Sequence, residues 1–79
     1  MAMNKERRKR LDEVMALVSE ARGQLEEIAG EEREAVDNLP DGLRESERGE
    51  RMEEIADSLE EDVSSLEELE NTLGEIINP

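Results

Sequence analysis

The sequence predicts an all-α chain folded as a long antiparallel helical hairpin, coiled-coil-like in its patterning. Three observations predict it. Apolar residues recur at heptad spacing through both halves of the chain. Turn-forming residues gather in one short stretch between the halves. Composition leaves little room for another class: 79 residues, 34% hydrophobic, 43% charged and no aromatic residue. Low hydropathy with a net charge of −14 also describes disordered chains, so periodicity decides, and it favours helix.

The first helix spans about residues 3 to 36. With position a at Leu11, the a and d series runs Leu11, Val14, Val18, Ala21, Leu25, Ile28, Glu32, Ala35 and Leu39. Glu32 is its one polar member. Met15, Ala29 and Val36 at e, with Leu17 at g, widen the apolar face beyond a two-strand seam. The turn occupies about residues 37 to 46, where Asp37-Asn38-Leu39-Pro40-Asp41-Gly42 brings Asn, Pro, Asp and Gly together. Pro40 disfavours helical geometry at Leu39.

The second helix covers about residues 47 to 77, with Ser46 as its N-cap and Glu47 and Glu50 in its first turn. From Glu53 onward the chain repeats every seven residues. Leu59, Leu66 and Leu73 stand at d; Ala56, Val63, Glu70 and Ile77 stand at a; Ile55, Leu69 and Ile76 widen the face at g. A disordered acidic tail has no reason to keep such a register. Residues 1–79 read as a single helical-hairpin domain, with Met3 offering a second start. Each apolar face is wider than one partner helix covers, and a lone two-helix hairpin has little core. The expected assembly is a homodimer forming a four-helix bundle; a monomer completed by a foreign helix is the alternative.

Charge is unevenly placed. Residues 1 to 10 hold five bases against Glu6, whereas residues 52 to 79 hold ten acids and no base. In an antiparallel pair the basic start is expected beside the acidic end, which offsets two unfavourable helix-dipole positions. The acids form ridges: Glu13, Glu20, Glu27 and Glu34 on the first helix, and Glu53, Glu60 and Glu67 beside Glu54, Glu61, Glu68 and Glu75 on the second. A soluble exterior accounts for such ridges. So does an anionic surface that occupies a nucleic-acid-binding groove on another protein. At roughly 50 Å per helix, one chain carries about one net charge per 3.6 Å and a side-by-side dimer about one per 1.8 Å, against about 1.7 Å for duplex DNA. Mimicry therefore needs the dimer, and Glu53, Glu54, Glu60, Glu61, Glu67 and Glu68 are the partner-binding candidates. Gly23 and Gly30 share a stripe with Ala16, and mark either tolerated surface glycines or a smooth face for a close approach.

No catalytic, cofactor-binding or metal-ligating set is expected. The chain has no Cys and no His, which removes thiolate ligands and the usual base near neutral pH. Residues 37–48 resemble a calcium loop superficially, with Gly42 as the sixth residue, but Leu39 and Arg48 fall where ligands belong and destroy the ligand set. The expected class is therefore a non-enzymatic binding protein with a protein partner, such as a basic nucleic-acid-binding protein or complex. Direct nucleic-acid or membrane contact is not expected, and the expected location is cytoplasmic.

The stretch from Glu31 through Glu54 (EEREAVDNLPDGLRESERGERMEE), followed by acidic heptads, resembles a group of small acidic proteins encoded by bacteriophages and prophages. Asn38-Leu39-Pro40 and Ser46-Glu47-Arg48-Gly49 are its more specific parts; the likeness covers about half the chain plus the repetitive helix. The group's function is unsettled. The resemblance implies a host-cell cytoplasmic setting and a protein that antagonises a host system.

Overall fold

A computed structural model describes residues 3–79; Met1 and Ala2, ahead of the second start, lie outside the described residues. Three helices follow in order: α1 (Lys5–Asp37), α2 (Asp41–Arg44) and α3 (Glu47–Ile77). The two long helices pack against each other, giving a rod of 58 × 18 × 13 Å. No strand occurs among the described residues.

α1 starts where Asn4 leaves an extended conformation and its side chain accepts a hydrogen bond from the Arg7 amide at 2.9 Å. It ends at the cap Asn38, just before Leu39-Pro40. The predicted turn holds a helical turn of its own. α2 follows Pro40, whose carbonyl accepts from the amides of Leu43 and Arg44 at 2.9 and 3.0 Å. Ser46 then caps α3: its Oγ accepts from the Gly49 amide at 3.2 Å and donates to the Leu43 carbonyl. Glu47 and Glu50 lie in the first turn, where the dipole favours them.

Gly49 is buried against α2. A Cβ there would meet the Arg44 carbonyl at 2.6 Å and the Leu43 carbonyl closer still. The glycine thus lets α3 start directly beneath α2. Besides Gly49, the buried residues are few: Ala29 and Val36 on α1, with Ala56, Val63 and Ile77 on α3.

The seam of α3 follows the a and d columns read from sequence. That of α1 does not. Ser19 and Arg33 of α1 are partly withdrawn from solvent at the edge of the seam, and within it lie Arg8, Leu11, Met15, Val18, Arg22, Leu25, Ala29, Glu32 and Val36. These are the a and e columns of the sequence register, so the expected d column lies outside the seam. Val14 and Ile28 remain 44% and 53% exposed, and Ala21 and Ala35 are exposed too. This rotation buries Ala29 and Val36 of the e column and gives the seam carboxylate a partner. Glu70 stands in the seam of α3 with its side chain 17% exposed, and the rotation of α1 brings Arg22 rather than Ala21 against it.

Candidate functional site

The hairpin register follows from contacts across the seam. Arg33 bonds Glu60 and Asp57, Arg22 bonds Glu70, and Met15 lies beside Gly74. Arg22 donates from Nε to Glu70 and from Nη1 to Glu26 at 2.7 Å, and Ser19 Oγ donates to Glu70 at 3.1 Å. The Glu70 bond and charge hold the Arg22 guanidinium above its ordinary pKa.

Arg33 bridges the helices nearer the turn. Nε and Nη2 hold both Glu60 oxygens at 3.1 and 2.9 Å, and Nη2 also reaches Asp57. This fork raises the Arg33 pKa, mainly through its bond to Glu60, and lowers that of Glu60 by the same bond. Because the folded-state value of Glu60 lies below the ordinary 4.5, its contribution to stability is present above that value. It is lost as pH falls through the lower one. An NMR carboxyl titration is expected to place the Glu60 midpoint below 4.5, and Arg33→Ala to return it to the ordinary value. An unchanged midpoint in Arg33→Ala would mean that the fork does not persist in solution.

Arg33 and Glu60 also orient the whole surface. Their pairing places Ser19, Glu26 and Arg33 of α1 beside Glu53, Glu60 and Glu67 of α3, on one side of the seam. All six candidate binding residues lie on that side and the adjoining back of α3, and all are exposed. Five make no ion pair among the described residues; Glu60 is the exception, committed to Arg33. The free anionic surface is therefore Glu53, Glu54, Glu61, Glu67 and Glu68. Sequence reasoning singled out neither Arg22 nor Arg33. The available signal for both was a lone base beside the apolar stripe, level with an acid once the turn fixes the register.

Gly23 and Gly30 lie one helical turn from Glu26 and Arg33, so the smooth stripe borders the acidic side. Neither has a neighbour within 4 Å of where a Cβ would stand. Gly23→Ala and Gly30→Ala are each expected to stabilise α1 by about 1 kcal/mol, read as a rise in the melting temperature by circular dichroism.

The expected pairing of the basic start of α1 with the acidic end of α3 does not take the form of direct ion pairs. No residue from Lys5 to Arg10 forms an ion pair among the described residues. With Met15 level with Gly74, the start of α1 extends past the last turn of α3, although Arg8 is still half-buried, and the last acid, Glu75, lies on the outer column. Among the described residues no cluster of three acids could hold a metal, and no helix is long and apolar enough to cross a membrane.

Compared with family models, curated proteins and solved structures, the chain matches none.

Proposed function

We propose that this chain is a small interaction protein of the phage type that its loop and heptads resemble. It inhibits or sequesters a host factor, either a defence protein or a basic nucleic-acid-binding protein, through its anionic helical surface. The observation that carries this reading is the ridge of Glu53, Glu54, Glu61, Glu67 and Glu68. These carboxylates occupy two adjoining columns of α3, are exposed and have no ion-pair partner among the described residues. Spaced by heptads, they recur about every 10 Å, a ladder that side chains arranged to grip phosphates can engage. The bordering glycine stripe lets a partner backbone approach closely.

Density of charge favours action as a homodimer. A net charge of −14 over 58 Å is about one per 4 Å; two chains side by side halve the spacing and approach the about 1.7 Å of duplex DNA.

The test is a pull-down from host lysate with wild type and with Glu61→Lys/Glu68→Lys, which leaves the Arg33–Glu60 fork intact. Wild type is expected to recover a basic nucleic-acid-binding protein that elutes as salt rises, and the reversed variant to lose it. Capture of a non-basic protein, insensitive to salt, would contradict the reading. An assembly module or an accessory subunit is the alternative function, and ordered species larger than a dimer in light scattering would favour assembly.

A further inference from the structure

The side of the hairpin away from Arg33 and Glu60 has a different chemistry. There the seam is flanked by Val14, Ala21, Ile28 and Ala35 of α1 and by Ile55, Leu69 and Ile76 of α3, all exposed. The next column outward holds Leu17 and Gln24 on α1, and Ser58, Ser65 and Thr72 on α3. In a chain with 24 acids, only Glu31 and Asp62 fall on this face. Four arginines sit at its ends, Arg7 and Arg10 at one and Arg48 and Arg51 at the other. The most acidic of helices thus keeps one side almost free of acid, where its exposed large apolar residues gather.

We propose that this acid-poor face is the docking surface for a second copy of the chain, related by a two-fold axis along the hairpin. The proposal rests on the dimer part of the functional reading and names its interface. Three observations select a second copy. The first is area. The strip from Val14 to Ala35 is about 32 Å long and the hairpin 18 Å wide, giving about 1,200 Å² over both copies, the lower bound for a stable interface. The second is size. Ala21 is level with Leu69, and Ala35 with Ile55, by the antiparallel register of Arg33 with Asp57. An axis along the hairpin sets α1 against α3 of the second copy at the same level. Each alanine then receives the large side chain of the other chain.

The third is charge, and it selects the axis. α1 has seven bases against ten acids; α3 has two against twelve. An axis across the hairpin would face α3 with α3 of its copy, the most repulsive pairing available. An axis along it places each α3 against the less acidic α1. All adjacent helices are then antiparallel, as in an up-down four-helix bundle.

Light scattering coupled to size exclusion on the full chain tests this. The expected mass is twice 9.0 kDa. Ile28→Glu is expected to give the mass of one chain, while Ser64→Glu, on the acidic side, leaves the dimer. Because Ile28 is 53% exposed in the hairpin, the single hairpin has room for the glutamate. A nitroxide on Leu43→Cys, at the turn, is expected to report about 20 Å between copies, close to the rod's width of 18 Å. A single-chain mass for wild type, a mass above two chains, a dimer that survives Ile28→Glu, or a label distance near the rod's 58 Å length would each overturn the proposal. Glu61→Lys/Glu68→Lys is expected to keep the dimer mass, so failure of partner binding and failure of this interface read out separately.

Discussion

Gly49→Ala is expected to destabilise the hairpin by about 2 kcal/mol, despite placing a better helix former inside a helix. Alanine gains about 1 kcal/mol over glycine in a helix. Here the new methyl would press on the backbone of α2, with the Arg44 carbonyl at 2.6 Å and the Arg44 Cα at 2.8 Å. A carbonyl cannot swing aside as a side-chain tip can. Either α2 is displaced or the Ser46 cap and its bond to the Gly49 amide are lost. Overpacking of this kind costs about 1 to 3 kcal/mol, occasionally more. Gly42→Ala is the matched control, since nothing lies within 4 Å of a Cβ there. A urea melt should show Gly49→Ala with a clearly lower midpoint and Gly42→Ala at or above wild type. Equal midpoints would mean that α2 does not sit against α3 as described.

The second large effect concerns the ion pair in the seam. Arg22→Leu should lower the melting temperature by about 5 °C, because Glu70 would keep its place between the helices with only Ser19 Oγ as a hydrogen-bond donor. Glu70→Leu should be milder, since the Arg22 guanidinium retains Glu26. Arg22→Leu/Glu70→Leu should recover the loss and exceed wild type, as matched apolar pairs commonly replace partly buried ion pairs without cost. The measurement is a set of four thermal melts, whose double-mutant cycle isolates the coupling. Additive losses would show that the two side chains do not meet.

The hairpin was legible in the sequence because its causes are local. The heptads of Leu59, Leu66 and Leu73 set the face of α3, Pro40 ended α1, and Ser46 began α3. The column of α1 that faces the seam was not legible, because a helix with three apolar columns can turn either of two pairs toward one partner. The pair that faces the seam brings Arg22 to Glu70, a contact across 48 residues of sequence. Spacing along one helix carries no trace of it. The acidic ridges were likewise readable as columns, but the commitment of Glu60 to Arg33 required the register. That rotation also carried Val14 and Ile28 out of the seam, onto a face with almost no acid.

The functional account claims that the acidic side engages a surface built for nucleic acid. Its most direct measurement is displacement: the immobilised chain is loaded with the protein that the lysate pull-down is expected to recover, and duplex DNA is added at constant salt. The account predicts that DNA releases the captured protein, and that Glu61→Lys/Glu68→Lys never loads it. Retention of the captured protein at saturating DNA would place its binding site elsewhere and contradict the claim.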